Sequence, residues 1–364
     1  MSLTIKILCL LTAVALLNVS PLAVHCHEYR IGAYYFPGWE SRSSNWNDLK
    51  GAPGSRSPGK AWREREPLLG FGYPEESPAI SEIQIDSASA YGIDFFAYDW
   101  YWNGASPYLN HAVDNHIKAK NKNKLKFCLL WANHFSIPET KEQFLLMIDY
   151  WIENYFKDPQ YLAIQGKPVI IIFSPQRLRD NADKFGSSTR ELFVAARSKA
   201  MKSGLPGIYF IGATPANPYW VNGYLPESGY DALTAYNYHS AAFPGYFTGK
   251  EPNATSYEEL TAGYVSQWSW IMSQSKLPYW VPLSSGWDSR PWGSNTPHDN
   301  SAGAPESFKR MLLAGKKMMD QQPEKSMRTG IIYAWNEFGE GGYIEPTKKW
   351  GFRYLQAIKD VFGK

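Results

Sequence analysis

Eight short apolar runs divide this chain of 364 residues and constrain its fold more than any other feature. Each run is nearly continuous in apolar, β-branched or aromatic residues, which is typical of parallel strands buried on both faces. The runs lie at residues 30–36, 92–100, 125–132, 167–173, 207–213, 231–237, 279–285 and 330–336. Helical patterns lie between most of them. This alternation predicts an α/β fold, a (β/α)8 TIM barrel, as a single domain with long βα loops.

Two long insertions interrupt the alternation. The first, from Ser41 to Pro78, is rich in Gly, Pro, Ser and Arg, and we interpret it as an extended loop after the first strand. The second, from Asn237 to Ser256, follows the sixth run, which has the weakest strand pattern. Both are expected over the C-terminal face of the barrel, where barrel enzymes keep their active sites.

The first 26 residues have the pattern of a secretory signal peptide. Lys6 precedes an apolar run from Ile7 to Leu17, which is shorter than the roughly 20 residues of a membrane span. We predict a catalytic domain at residues 27–364 that is secreted or lies in a periplasm or secretory-pathway lumen, depending on the host, without stable membrane insertion. A signal-anchor is the alternative. Only Cys26 and Cys128 would remain after cleavage, too few for a disulfide scaffold.

Charge and motifs exclude several classes of function. The net charge of +3 is spread along the chain, so no nucleic-acid partner is expected. The sequence has no HExxH or CxxC spacing, no P-loop, and no GxGxxG after a strand. We therefore expect no metal, no cofactor and a monomer.

Aromatic residues make up 16% of the chain, including 15 Trp and 24 Tyr. Such rings pack either on sugar faces or in a large core, and composition alone does not decide between the two. Their position does, because aromatic, acidic, His and Asn residues follow nearly every strand, and these strand ends converge on one mouth. The predicted sugar-binding ring comprises Tyr34, Tyr35, Trp39, Asp99, Trp102, Asn133, His134, Tyr236, Asn237, His239, Trp287, Asp288 and Arg290. At least half should face one cavity, while some, Asp288 with Arg290 above all, could instead form an internal network.

Three glutamates follow the eighth run in the stretch "WNEFGEGGYIEP". Glu337 and Glu340 are close enough in sequence to flank a glycosidic bond as the two carboxyl groups of a glycosidase. The glycines among them should let the backbone turn sharply. Asn336 is a candidate hydrogen-bond donor that would favour ionised Glu337. Glu345 precedes a proline and is either structural or sugar-binding.

The same stretch carries a family resemblance. Together with "YYFPGW", "YGIDFFAYDWYW", "FCLLWANH" and "GKPVIIIF", it resembles the glycoside hydrolase family 99-like group, which includes WbsX-type proteins once labelled glycosyltransferases. The resemblance covers residues 30 to 361 and implies a (β/α)8 barrel and a retaining α-mannosidase-type hydrolase. It further implies that Glu337 deprotonates the 2-hydroxyl of the sugar, which attacks the anomeric carbon, and that Glu340 protonates the leaving oxygen and later acts as base.

One departure from that group concerns the substrate. The characterised hydrolases carry Trp-His between the two glutamates, whereas this chain has Phe338 and Gly339. The departure concerns the substrate and not the reaction class, and the resemblance implies a glycosidase acting on α-linked mannose- or rhamnose-type oligosaccharides or polysaccharides. A WbsX-type glycosyltransferase and a non-catalytic carbohydrate-binding barrel are the alternatives. A transferase would need a nucleotide-diphosphate site, and no convincing DxD-type motif is present.

Overall fold

The computed structural model describes residues 28–135, 137–243 and 245–363. The predicted signal peptide, residues 1–26, lies outside the described residues. Eight parallel strands form the barrel wall within the described residues, and each falls on one of the eight predicted runs. They are β1 (Arg30–Tyr35), β2 (Phe95–Trp102), β3 (Lys126–Trp131), β4 (Lys167–Ile172), β5 (Tyr209–Ala213), β6 (Ala232–Thr234), β7 (Val281–Ser284) and β8 (Thr329–Tyr333).

The strands pair in the order β6-β5-β4-β3-β2-β1-β8-β7. The circle is completed between β6 and the approach to β7, where Leu233 bridges Tyr279 in parallel. The Leu233 N–H donates to the Pro278 carbonyl over 2.8 Å, and the Trp280 N–H donates to the Leu233 carbonyl over 2.9 Å. The nearly closed barrel confirms the predicted fold class. β6 has only three residues, fewer than its apolar run suggested.

Helices cover the outside of the barrel and short helical turns lie in its loops. The α-helices are α1 (Asn45–Lys50), α2 (Pro78–Ala90), α3 (His111–Lys118), α4 (Lys141–Asn154), α5 (Pro175–Lys184), α6 (Thr189–Lys202), α7 (Leu225–Ser228), α8 (Tyr257–Gln274), α9 (Pro305–Gln321), α10 (Pro323–Ser326) and α11 (Arg353–Phe362). A π-helix spans Tyr219–Tyr224, and 3-10 turns span Arg63–Arg65, Lys122–Lys124, Arg290–Trp292 and Pro297–Asn300. No helix of the described chain is long and apolar enough to cross a membrane.

The residues of β2 and α6 show why the sequence forms these elements. Every residue of β2 is buried, as expected for a strand covered on both faces. α6 begins with a capping box in which Ser188 and Glu191 satisfy each other's backbone N–H groups. Gly204, with φ +91°, follows its last turn.

Both insertions lie at the C-terminal mouth of the barrel, as predicted. The first pairs with the loop after β8, since Pro67 bridges Thr347 and the Leu68 N–H donates to the Pro346 carbonyl over 2.9 Å. The second is closed at its base, where the Ala254 N–H donates to the His239 carbonyl over 2.8 Å. The insertions therefore build the walls of the site.

Candidate active site

A tight hairpin after β8 carries the two candidate catalytic glutamates. Asn336–Glu337 pairs antiparallel with Gly342–Tyr343. The Glu340 N–H donates to the Glu337 carbonyl over 3.1 Å and closes the turn. Both glutamates line one cavity of about 460 Å³ at the barrel mouth.

The hairpin glycines serve two different purposes. Gly341 has φ +76°, a left-handed conformation that glycine adopts without strain. Gly339 instead allows close packing, because a Cβ there would lie 2.1 Å from Trp292. A Cβ on Gly342 would lie 2.2 Å from the Tyr333 ring. The predicted sharp turn thus depends on one glycine, and the other two admit aromatic rings.

The cavity wall is largely aromatic and acidic. Of the predicted ring, it contains Asp99, His134, Tyr236, Asn237, His239 and Trp287. It also contains residues that the sequence did not single out: Phe36, Asn45, Arg56, Tyr101, Phe135, Phe173 and Trp292. Six of the thirteen predicted residues is fewer than half, so the ring as a whole is wrong as a description of the cavity wall.

Three of the misplaced residues are buried against the barrel itself. The Tyr34 hydroxyl donates to the Ala235 carbonyl over 3.0 Å inside the barrel. Trp102 is 1% exposed and stacks on Trp100 at a centroid distance of 5.6 Å. Asn133 is engaged twice with the Ser174 backbone, donating to its carbonyl and accepting from its N–H.

Tyr35, Trp39 and Asn336 surround Glu75, a buried carboxylate behind the cavity. Glu75 accepts hydrogen bonds from the Tyr35 hydroxyl over 2.9 Å, the Trp39 N–H over 2.8 Å and the Asn336 amide over 3.3 Å. A ring nitrogen of His111 lies 3.0 Å away. The expectation that Asn336 hydrogen-bonds Glu337 is therefore wrong, because its side chain serves Glu75 and the Phe36 backbone.

Glu345 belongs to the same buried region and not to the cavity wall. Its Oε2 accepts long hydrogen bonds from the Tyr73 hydroxyl, 3.3 Å, and the Gln84 amide, 3.4 Å. Burial, followed by the negative charge of Glu75, raises the pKa of Glu345 to about 8. Of the two alternatives that the sequence left open for Glu345, its burial favours the structural one.

Asp288 and Arg290 form an internal network with Arg65, which we name the anchor cluster. Arg65 is 3% exposed, forms an ion pair with Asp288, and donates to the Phe338 carbonyl over 2.8 Å. Arg290 binds both oxygens of Asp288, over 2.7 and 2.8 Å. The Asp288 N–H in turn donates to the Glu340 carbonyl over 2.6 Å. The anchor cluster therefore fixes the hairpin and leaves these side chains out of the cavity.

Asp99, Tyr236, Glu337 and Glu340 form an acid cluster on the cavity. The Tyr236 hydroxyl lies 2.9 Å from Asp99 Oδ2 and 2.8 Å from Glu337 Oε1. Asp99 Oδ1 and Glu337 Oε2 are buried without a hydrogen-bond partner. Glu340 accepts a hydrogen bond from the Tyr333 hydroxyl. Three carboxyl groups thus share two tyrosine protons.

Burial raises the pKa of every carboxyl group in the acid cluster. It raises the pKa of Glu340 to about 7. It raises the pKa of Glu337 well above the ordinary value, with further contributions from the charges of Glu340 and Asp99. The pKa of Asp99 is raised well above the ordinary value, mainly by burial. Burial thus acts on both glutamates and does not by itself distinguish the predicted base, Glu337, from the predicted acid, Glu340.

A histidine pair fixes a hydrogen-bond acceptor on the cavity wall. His298 Nδ1 lies 2.7 Å from the Ala254 carbonyl, which can only accept, so this nitrogen carries the proton. Burial lowers the pKa of His298, so its Nε2 is unprotonated and accepts from His239 Nδ1 over 2.6 Å. Burial also lowers the pKa of His239 to about 4. His239 is therefore a neutral residue of the cavity wall whose Nε2 has a free lone pair.

The residues missed from the sequence have two origins. Tyr333 ends β8 and reads as an ordinary core residue, yet its hydroxyl reaches Glu340. Asn45 and Arg56 come from the first insertion, whose composition signals only a loop. The insertion's predicted position over the mouth was the one signal that could have pointed to them.

No group of three His, Cys, Asp or Glu residues within the described chain is arranged to hold a metal ion. The donors on the cavity wall are instead carboxyl groups paired with tyrosine hydroxyls, and a neutral imidazole.

A comparison with protein-family models identifies one family that matches most of the chain. The model of the family described as "Glycosyltransferase WbsX" matches residues 63–358. The chain belongs to this family. This WbsX-family chain is 22% identical over 321 residues to "Uncharacterized protein WxcX" from two strains of Xanthomonas campestris pv. campestris. The match covers 80% of the chain but only 42% of the relatives' length.

Solved structures similar to this WbsX-family chain share its barrel. The GH99 endo-α-mannosidase from Bacteroides thetaiotaomicron matches with a TM-score of 0.62 and 16% identity, over 92% of this chain and 97% of that one. A family 1 β-glucosidase from Thermotoga maritima matches with a TM-score of 0.52 and 9% identity, over 92% and 98%. At these identities the similarity establishes the fold, which is that of glycosidase barrels.

Proposed function

We propose that this chain is a retaining glycoside hydrolase that cleaves α-linked mannose- or rhamnose-type glycans. The observation that carries the proposal is the hairpin after β8, which presents Glu337 and Glu340 to one cavity with aromatic walls. Two buried carboxyl groups beside one cavity are what a glycosidase needs on either side of the scissile bond. The family resemblance and the fold shared with glycosidase barrels support the same reading.

The roles of the two side chains are those that the family resemblance implies. Glu337 takes the proton of the sugar 2-hydroxyl, and the oxygen then attacks the anomeric carbon. Glu340 gives its proton to the leaving oxygen and later removes a proton from the attacking water. Burial raises its pKa to about 7, which keeps this acid protonated up to neutral pH. We therefore expect kcat/KM to fall as the pH rises through about 7, because Glu340 then loses the proton it must donate.

The family description names a transferase, and the lack of an unpaired cation in the cavity argues against that reading. A sugar-nucleotide donor carries a diphosphate, whose negative charge needs compensation in its binding site. The one Lys or Arg on the described cavity wall, Arg56, forms an ion pair with Asp48 over 2.5 Å. A neutral glycan needs no such compensation.

Two substitutions test the proposal. Glu340→Gln should lower kcat on ordinary glycans by between about 10²- and 10⁴-fold, yet keep a first step on nitrophenyl glycosides, whose leaving group needs no acid. Glu337→Gln should be poor on both, because the attacking hydroxyl is no longer activated. Glu306→Gln is the matched control, since Glu306 lies on the surface and pairs with Arg353.

The assay uses a panel of α-mannosides and α-rhamnosides, with NMR to identify the anomer released first. A β-configured first product would contradict retention. Transfer from sugar nucleotides without hydrolysis would establish the transferase alternative. Normal rates for both glutamine variants would remove these glutamates from the mechanism.

A further inference from the structure

The proton count around Tyr236 has a consequence for the mechanism. Its hydroxyl holds one hydrogen, and two carboxyl oxygens lie within hydrogen-bond distance, Asp99 Oδ2 at 2.9 Å and Glu337 Oε1 at 2.8 Å. If both carboxyl groups were ionised, one oxygen would face a lone pair of the hydroxyl. A second proton on either carboxyl group removes this conflict, because the hydroxyl then accepts one hydrogen bond and donates another.

The surroundings make two adjacent negative charges still less favourable. Asp99 and Glu337 are each 4% exposed, and each has an oxygen without a partner. The groups facing Asp99 are Tyr34 from β1, Tyr101 from its own strand, Tyr236, and the two hairpin glutamates. No cation of the described residues pairs with Asp99, in contrast to Asp288. Burial without a cation favours the neutral carboxyl group.

We propose that Asp99 is a positioning residue that carries this second proton and thereby leaves Glu337 ionised to act as the base. In this arrangement Asp99 donates to the Tyr236 oxygen, and the Tyr236 hydroxyl donates to Glu337. The proposal rests on the proposed hydrolase function for its consequence, but the position of the proton can be tested without any substrate. It also answers how a carboxyl group as buried as Glu337 becomes available to accept a proton.

The first test is NMR of the whole protein labelled with ¹³C-aspartate. The Asp99 carboxyl signal, assigned by its loss in Asp99→Asn, should have the shift of a protonated acid at pH 7. A signal that titrates near the ordinary value of 3.8 would overturn the proposal. Asp114 gives an internal comparison, because this aspartate also accepts a hydrogen bond from a tyrosine hydroxyl, that of Tyr155 at 3.1 Å, away from the cavity.

The second test is the pH profile of kcat/KM. Tyr236→Phe removes the donor to Glu337, so the acidic limb should move to higher pH by about one unit. Asp99→Asn still offers a donor to Tyr236, so this limb should keep its position although the overall rate falls. If the acidic limb of Asp99→Asn moves to lower pH, Asp99 is ionised in the parent, and if the limb of Tyr236→Phe keeps its position, the hydroxyl does not donate to Glu337. Either result would overturn the proposal.

Asp114→Asn is the control and should leave the profile unchanged. If no glycoside is hydrolysed but the Asp99 signal is that of a protonated acid, the function proposal fails and the proton assignment stands. If the protein is an active hydrolase and Asp99 is ionised, the proton assignment fails and the function proposal stands.

Discussion

Two buried aspartates at the barrel mouth have opposite surroundings. Asp288 is 3% exposed and contacts two arginines, which bind both of its oxygens. Asp99 is 4% exposed and has one hydrogen-bond partner, the Tyr236 hydroxyl, which it shares with Glu337. Equal burial therefore conceals a difference in charge compensation. Both oxygens of Asp288 have cationic partners in the protein, whereas Asp99 Oδ1 has no hydrogen-bond partner.

The contrast extends to the clusters around the two aspartates. The anchor cluster holds the hairpin backbone through the Phe338 and Glu340 carbonyls. The acid cluster shares few donors among three carboxyl groups. A buried polar group without a partner costs free energy, and such costs concentrate at functional sites. The anchor cluster thus keeps the acid cluster in place despite its unfavourable electrostatics.

The largest effect on stability should come from breaking the anchor cluster. Arg65→Met removes the buried partner of Asp288 and the donor to the Phe338 carbonyl. We expect the free energy of unfolding to fall by about 3–5 kcal/mol, because buried Asp288 keeps only the partly exposed Arg290 as a cation and the Phe338 carbonyl loses its donor. Urea denaturation measures this. Arg353→Met, which removes a surface ion pair with Glu306, is the control and should barely move the midpoint. Similar losses in both would mean that the anchor cluster has no special role.

A smaller effect, opposite in sign, is expected in the acid cluster. The pKa of Glu340 is raised to about 7, so the folded protein holds this proton more tightly than the unfolded chain does. Stability is then fully present below pH 4.5 and is lost as the pH rises through about 7. Glu340→Gln stays neutral throughout. It should therefore be more stable than the parent at pH 8 by on the order of 2 kcal/mol, with little difference at pH 4.

Thermal or urea unfolding of the two proteins at several pH values tests this expectation. Glu306→Gln serves as the control. Glu306 is exposed and its pKa is lowered by a backbone hydrogen bond, so no gain in stability should develop between pH 4.5 and pH 8. A constant difference between parent and Glu340→Gln across this range would show that Glu340 ionises normally.

The smallest effect is expected at the histidine pair. His298 is hydrogen-bonded through both ring nitrogens, whereas His239 is hydrogen-bonded through Nδ1 and presents Nε2 to the cavity. His298→Leu removes the acceptor of His239 Nδ1–H, so His239 is free to change tautomer. We expect kcat/KM to fall about 5- to 10-fold, as for the loss of one hydrogen bond. ¹⁵N NMR of the imidazoles should show both tautomers. Ser301→Ala is the control, since it removes a neighbour of His298 without touching His239. If His239 keeps a single, unchanged tautomer in His298→Leu, His298 does not fix that tautomer.

The sequence predicted the barrel well because its strands are buried on both faces. That same property hid which side chains reach the cavity. Tyr34 and Tyr35 are adjacent and equally apolar in pattern, yet one lies inside the barrel and the other contacts Glu75. Tyr333 looked like core for the same reason. Alternation of polar and apolar residues, the usual guide to strand facing, is absent from such runs.

The glutamate pair could be predicted because Glu337 and Glu340 lie three positions apart directly after a buried strand, where the active site of a barrel is expected. Its partners could not be predicted, since they come from segments distant in the chain. Arg65 is 273 positions from Phe338, whose carbonyl it holds. The composition of a loop does not indicate which of its residues contact a distant segment. Only the three-dimensional structure therefore separates the anchor cluster from the acid cluster.

The close approach of Trp292 to Gly339 limits how this site can be exchanged with that of other barrels. A side chain at position 339 would occupy the volume of the indole, since even a Cβ would lie 2.1 Å from it. Replacing Phe338 and Gly339 by the Trp-His pair of the characterised hydrolases therefore requires a simultaneous change at position 292. Positions 292 and 339 should vary together among relatives, with glycine at 339 accompanying a large ring at 292. Exchanging the two residues between the glutamates is accordingly a problem of two loops, the hairpin after β8 and the loop that carries Trp292.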